Sequence, residues 1–227
     1  MDVLRMRWTD ALFAHWPVDP DVVSSRLPDD LQVATYDGAA WLGVVGFVME
    51  DIRPRGAPFG LSFPELNLRT YVTRPDSDDH AVYFFNLDAD DRVGVAVARR
   101  LFRLPYFRAE ISVRREDDAV TLRSRRTHPG APPARFAGTY RPREEPTAPE
   151  PGTLDHFLTE NYRFYTAGNR LYYGDISHPP WPLATAEVDI ESNTLFAANG
   201  FDRPDGDPIA HYAPGTEVTA GRLRRVR

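Results

Sequence analysis

Five side chains in this sequence have the types and spacing to do chemistry. Glu65, Asn67 and Arg69 alternate along one segment, Arg100 lies on a Pro-terminated helix, and Tyr106 stands just beyond it. Guanidinium forks grip carboxylates through paired N–H donors. A carboxyl or phenol beside them can move a proton. The set therefore describes an anion site: Asn67, Arg69 and Arg100 hold a carboxylate-like small molecule, and Glu65 or Tyr106 acts as the acid–base group. A free phenol titrates near pH 10. Tyr106 serves as a base near neutrality only if adjacent cations pull that value down. The same residues would equally serve as a buried ion-pair network holding a helix to a sheet.

What is missing narrows the chemistry. There is no cysteine, which removes disulfides, thiolate nucleophiles and Cys-based metal sites. There is no lysine either, because all 27 basic residues are arginine. That removes Schiff-base chemistry from a side-chain amine and the lysine-dependent phosphate sites of P-loop and kinase proteins. The Gly-x-Ser-x-Gly, His-Glu-x-x-His and Gly-x-Gly-x-x-Gly signatures are absent. No two of the six histidines have ligand-type spacing, so spacing points to no zinc site, although ligands can meet in space. His15 and His178, beside Trp and Pro, read as packing or surface residues. No cofactor is called for.

A net charge of −6 argues against a general nucleic-acid surface. The acidic runs Asp76–Asp79, Asp88–Asp91 and Glu116–Asp118 read as solvated turns. The N-terminus lacks the apolar core, roughly 7–15 residues long, of a signal peptide. No apolar run approaches the roughly 20 residues of a membrane span. A soluble cytoplasmic protein is expected, with no membrane partner and with a homo-oligomer left open.

The elements that must position the five residues follow from periodicity. Asp19-Pro20 starts a short helix that Pro28 stops near Arg26. Gln32 to Tyr36 and Ala39 to Met49 flank the hairpin signal Asp37-Gly38, and the second strand is apolar on both faces, hence central. Glu65 to Thr73 alternates, with Leu66, Leu68, Thr70 and Val72 on one face and Glu65, Asn67, Arg69 and Tyr71 on the other. The polar row faces either solvent or the inside of a barrel or cone. His80 to Leu87 is a further strand. A helix from about Asp91 to Arg103, capped by Asp88 or Asp90, puts Val93, Ala96, Val97 and Leu104 on an apolar stripe that includes Arg100. Pro105 ends it. A hairpin spans Phe107 to Arg126, and Arg135 to Tyr140 is another strand. Thr153 caps a short helix whose apolar positions include Leu154, Phe157, Leu158 and Tyr162. Strands at Phe164–Thr166, Leu171–Ile176, Leu183–Ile190, Leu195–Ala198, Ile209–Tyr212 and Glu217–Val226 complete an antiparallel set. The pattern is α+β, mainly antiparallel β, in a single domain over 1–227.

Several stretches carry a family resemblance. They are Phe63-Pro-Glu-Leu-Asn-Leu-Arg-Thr-Tyr71, Phe84-Phe-Asn-Leu-Asp-Ala89, Ala98-Arg-Arg-Leu-Phe-Arg-Leu-Pro-Tyr106, His178-Pro-Pro-Trp-Pro-Leu183 and the lead-in Trp8 to Pro17. Together they resemble the YqjF-like family, DUF2071. That family is in turn distantly similar to the acetoacetate decarboxylases. The resemblance implies an antiparallel β-barrel or cone around a small-molecule cavity, with short helices outside. In the decarboxylases a Gly-Arg-Glu stretch leads to an aromatic-Pro-Lys whose lysine forms the Schiff base. Here Ala98-Arg99-Arg100 and Leu104-Pro105-Tyr106 stand in those places. Tyr106 replaces the lysine, Arg100 replaces the glutamate, and Glu65 falls loosely where the decarboxylases carry an active-site glutamate. Decarboxylation through an imine on a side chain is therefore not expected.

Three functions fit this sequence: a binding protein for a small organic acid, a cofactor-independent enzyme using Tyr106, Glu65 and Arg69, or a structural protein with a closed ion-pair core. The first is preferred.

Overall fold

The computed structural model describes residues 2–75 and 77–226. Asp76, in one of the acidic runs, lies outside them. Among the described residues thirteen strands form one sheet. They are β1 (Asp2–Val18), β2 (Gln32–Val33), β3 (Ala40–Pro54), β4 (Leu61–Arg74), β5 (Ser77–Ala89), β6 (Tyr106–Glu116), β7 (Ala119–Arg126), β8 (Arg135–Pro142), β9 (Arg163–Ala167), β10 (Leu171–Ser177), β11 (Ala184–Asn193), β12 (Ile209–Gly221) and β13 (Arg224–Arg225). Four short helices accompany them: α1 (Pro20–Ser24), α2 (Arg92–Leu101), α3 (Leu154–Thr159) and α4 (Leu195–Ala198). No helix among the described residues is long and apolar enough to cross a membrane.

The strand order is β13-β10-β9-β5-β6-β7-β8-β11-β12-β1-β3-β4-β2, and the additional pairings β5–β4 and β10–β12 fold the sheet partly into a ring. Pairing is mainly antiparallel; β5 runs parallel to both β6 and β9. The two extra pairings create two closed circuits that share β12, β1, β3, β4 and β5. Those shared strands form a wall with a core on each side. Leu12, Leu42, Val44, Leu66 and Leu68 face one core with Ile111, Leu122 and Phe136. Phe13, Val45 and Phe47 face the other with Tyr106 and Trp181, and Tyr71 continues it against Phe157 and Leu158. Every residue from Glu65 to Val72 is buried. The polar row of β4 thus faces inward, which settles the choice that alternation alone left open.

Local signals explain most element ends. Asp19 Oδ1 accepts from Asp21 N at 2.8 Å and Pro20 opens α1. Asp37 and Gly38 both take positive φ, 49° and 80°, and Tyr36 and Ala39 exchange hydrogen bonds across them, as a type I′ turn requires. Beyond that bridge the hairpin does not continue, because β2 pairs with β4 instead of β3.

Five expectations are corrected. Asp91, not Asp88 or Asp90, caps α2 through Gly94 N. Asp88 is committed to Arg126, and Asp90 Oδ2 accepts from Ile111 N. The inward face of α2 is Gly94, Val95 and Ala98, small enough to lie on Phe63; a Cβ on Gly94 would stand 3.0 Å from that ring. Val93, Ala96 and Arg100 are therefore exposed, and the Val97 side chain is outside the described residues. Leu195–Ala198 is the helix α4, with Asn193 Oδ1 accepting from Leu195 N; a run of four apolar residues has no periodicity to separate helix from strand. Ile209 to Gly221 is one strand running through Pro214-Gly215, followed by β13. The Asp88–Asp91 run is not a solvated turn throughout, since Asp88 is 1% exposed.

The Asp88–Arg126 pair ties β5 to β7 across β6. Arg126 Nε and Nη2 donate to the two Asp88 oxygens at 2.7 and 3.0 Å, with both side chains almost fully buried. Burial pushes the Asp88 carboxyl up, and the Arg126 fork pulls it back. Removing one partner strands the other charge in the core, at a cost of about 3–5 kcal/mol. Arg126→Met is expected to lose that much in urea unfolding, and Asp88→Leu/Arg126→Met to recover most of it. A double variant as unstable as the single one would show that the pair does more than cancel charge.

Candidate functional site

The candidate site is built on two rows of residues that run across the shared wall. In the first, Phe13 pairs with Val45, Val45 with Asn67, Asn67 with Leu87 and Leu87 with Tyr106. In the second, His15 pairs with Gly43 and Gly43 with Arg69. Gly43 leaves room for both neighbours: a Cβ there would lie 2.8 Å from the His15 ring and 3.5 Å from Arg69 Cγ. Register therefore brings together side chains from β1, β3, β4 and β6 that are far apart in sequence.

Tyr106 reaches the first row through the exit from α2. Arg103 takes φ 54°, Pro105 blocks further helix, and Pro105 O accepts from Leu87 N at 3.1 Å. Arg99 Nη1 fixes the Tyr106 carbonyl at 2.5 Å. The phenol then donates to Glu65 Oε2 at 2.5 Å, while Asn67 Nδ2 donates to Glu65 Oε1 at 3.2 Å. Burial raises the Glu65 carboxyl from 4.5 to about 7, against the lowering effect of these two hydrogen bonds. Burial and the Glu65 carboxyl push the Tyr106 phenol well above its ordinary value. The condition under which Tyr106 could be a base is thus not met. Tyr106 is a neutral donor, and Glu65 is the group that titrates near neutrality.

Arg69 is nearly buried, at 9% exposure. Its guanidinium lies over the rings of Phe13 and Tyr71, at 5.5 and 5.7 Å. Nη2 donates to the Leu158 carbonyl at 3.2 Å, and Nε is buried without a partner. Among the described residues no carboxylate forms an ion pair with it. Arg100, by contrast, is exposed on α2, and the structure does not bring it to Glu65, Asn67, Arg69 and Tyr106.

Two residues outside the predicted set complete the arrangement. Tyr71 donates its single hydroxyl hydrogen to Leu158 O at 2.6 Å, since a carbonyl can only accept. The 2.7 Å contact between Tyr71 Oη and His15 Nε2 then requires the hydrogen on Nε2. Burial, Arg69 and His211 hold the His15 proton affinity well below the usual imidazole range. His15 is therefore neutral with a bare Nδ1, and that atom is buried with no partner. The sequence signal for His15 was Gly43 opposite it, one of two glycines in β3, legible only once register is known. Among the described residues no cluster of three or more His, Asp or Glu side chains is placed to hold a metal. Two surface clefts, of about 470 and 860 Å³, lie elsewhere; neither is lined by these residues.

With this geometry in hand, comparison with known proteins places the chain. The DUF2071 family model, described as an uncharacterized conserved protein (COG2071), matches residues 5–217. The chain belongs to the DUF2071 family. A DUF2071 relative, the uncharacterized protein YqjF of Bacillus subtilis, is 42% identical over 98% of this chain and 92% of its own length. Solved structures share the fold at much lower identity. An acetoacetate decarboxylase from Legionella pneumophila superposes with TM-score 0.64 at 13% identity, covering 98% of this chain and 87% of its own. An acetoacetate decarboxylase-like enzyme from Sphingomonas wittichii RW1 gives 0.67 at 15%, covering 100% and 94%. The enduracididine biosynthesis enzyme MppR, complexed with pyruvate, gives 0.68 at 12%, covering 99% and 91%. The DUF2071 chain therefore has an acetoacetate-decarboxylase-like fold.

Glu65 makes a testable pH signature. A carboxyl raised on folding keeps its proton in the native state while the unfolded state has already released it. Its stabilising contribution is complete below about pH 4.5 and is lost as pH rises to about 7, a change of about 3 kcal/mol. Glu65→Gln is expected to grow more stable relative to wild type across that window, by chemical denaturation at fixed ionic strength. Parallel pH profiles for the two proteins would show that Glu65 does not carry the raised value.

Proposed function

We propose that this protein binds a small organic anion, with Arg69 as the carboxylate clamp. The observation that carries the proposal is the buried guanidinium without an ion-pair partner. An isolated charge in a protein interior is costly, and arginine cannot shed its proton to escape that cost. A carbonyl on α3, the Tyr71 side chain, the Phe13 face and the more distant Glu65 carboxyl answer it only in part. A carboxylate supplied from outside would complete the hydrogen bonding at Nε and neutralise the charge. Pyruvate bound to MppR, a protein of like fold, is a ligand of the same chemical type. Turnover through an imine is not proposed, because no side chain of this sequence carries a primary amine. A second activity, proton transfer on the bound anion, is favoured by one observation. Glu65 titrates at about 7, within the range of an effective acid–base group, and Tyr106 orients it.

The test combines a thermal-shift screen of small carboxylic acids with Arg69→Met. A ligand at about 100 times its dissociation constant adds about 2.7 kcal/mol, or about 5–10 °C for a chain of this size. Wild type is expected to show such a shift with at least one acid, and Arg69→Met to show none. Arg69→Met is also expected to melt at the same or a higher temperature than wild type without ligand, since it deletes an uncompensated buried charge. No acid shifting the wild type, or equal shifts in the variant, would overturn the proposal.

A further inference from the structure

We infer that the segment from Ala148 to Tyr162, with α3 in its middle, is a displaceable strap over Arg69, and that the Leu158 carbonyl holds the place of the ligand's carboxylate oxygen until the strap lifts. This rests on the clamp role given to Arg69 above and adds how a ligand reaches it. Arg69 is nearly buried, and it lines neither surface cleft, so an incoming anion must first displace part of the protein. What lies on the guanidinium is α3. Arg69 Nη2 donates to Leu158 O at 3.2 Å, and Tyr71 Oη donates to the same oxygen at 2.6 Å. Leu158 is itself fully buried, and the Phe157 ring lies 5.3 Å from that of Tyr71. A carbonyl in the last turn of a helix has no intrahelical donor, which leaves this oxygen able to take both. A carboxylate is the stronger acceptor for a guanidinium, so a ligand oxygen can replace the neutral carbonyl.

The segment is attached in a way that lets it move as one piece. Before it, Thr147 and Leu183 exchange backbone hydrogen bonds at 2.8 and 2.9 Å; after it, β9 begins at Arg163. Between those anchors residues 148–161 belong to no strand. Among the described residues their backbone–backbone hydrogen bonds stay inside the segment, as in Thr153 N to Glu150 O and Glu160 N to His156 O. Lifting the strap therefore leaves every sheet ladder intact. Gly152, at φ 85° after Pro151, supplies a bend on the entry side. Side chains make the ties to the rest of the chain. Asp155 Oδ1 lies 3.1 Å from His211 Nε2, Tyr36 Oη donates to Gly152 O at 3.1 Å, and Trp181 N donates to Glu160 Oε1 at 2.8 Å. Phe157 packs among Tyr36, Tyr71 and His80. The Asp155 side chain is half-exposed and the Tyr36 bond is at the surface, so either latch can be removed without hollowing the core.

The chain has no cysteine, so one introduced thiol reports opening by its rate of labelling in native buffer. Leu158→Cys places that thiol on the covered side of the strap. Leu122→Cys, equally buried in the core across the wall, is the control for global unfolding. The Leu158→Cys thiol is expected to label about ten-fold or more faster than the control, because local opening outpaces global unfolding. The probes are pyruvate, L-lactate and acetate, titrated by calorimetry. At saturation the acid that binds is expected to speed Leu158→Cys labelling further. When binding needs a minor open state, affinity rises in proportion to the population of that state. Asp155→Ala is therefore expected to raise ligand-free labelling and acid affinity by the same factor, about ten-fold, and Tyr36→Phe to raise both together by a few-fold. Equal labelling of the two thiols would overturn the strap. So would an acid that binds, and is lost in Arg69→Met, while labelling stays unchanged or slows; the clamp would then stand without it. Faster labelling in Asp155→Ala with no gain in affinity would show that opening is not the route of entry. Binding of none of the acids by wild type or by Asp155→Ala would overturn the clamp and the strap together.

Discussion

A charge placed inside a protein must be neutralised, matched or left waiting, and β4 forces that choice by being buried on both faces. The strand is one layer of a wall between two cores, so its polar row is almost wholly withdrawn from solvent, with Arg69 alone retaining 9% exposure among Glu65, Asn67, Arg69 and Tyr71. The molecule uses all three answers. Asp88, on the neighbouring strand, is matched by the Arg126 fork. Glu65 is neutralised in part by holding its proton up to about pH 7. Arg69 has neither option and is met by a carbonyl, the Tyr71 side chain with its ring and that of Phe13, and the more distant Glu65 carboxyl, with no direct ion pair among the described residues. Tyr71, Tyr106 and His15 are kept uncharged, two by raised and one by lowered proton affinity.

The wall also explains how side chains from distant segments meet. Gly43 and Gly46 thin β3 on opposite faces. A Cβ on Gly43 would strike His15, and one on Gly46 would lie 2.6 Å from Leu122. One glycine opens space on the polar side for His15 and Arg69, and the other lets the apolar core close against the same strand. Apolar packing on one side and the polar cluster on the other are therefore set by a single strand.

Much of this was legible in the sequence wherever a signal was local. The alternation of Glu65 to Val72, the caps at Asp19 and Thr153, the Asp37-Gly38 turn and the Pro105 exit all depend on near neighbours and all recur in the structure. What depends on tertiary contact did not follow. The inward face of α2 is chosen by its fit on Phe63, which exposes Arg100 and removes it from the candidate set. The pairing of β2 with β4 is a choice between strands that no hairpin motif encodes. His15 reads from the sequence as a packing or surface residue; its contacts with Gly43 and Tyr71, both far away in the chain, follow only from strand register. The missing lysine needed no structure at all.

The pairing of β1 with β12 joins residues 2–18 to residues 209–221. On a translating ribosome these segments emerge roughly 10–40 s apart at about 5–20 residues per second. During that interval β1 can pair with β3, but its other edge stays open, and the apolar surface meant for the second core stays uncovered. The nascent chain therefore passes through a period of exposed strand edge, the condition that favours aggregation and recruits chaperones. The segment carrying Phe13 and His15 is made well before β12 and completed only when β12 pairs with it, so the polar cluster on the wall takes its final form at ring closure.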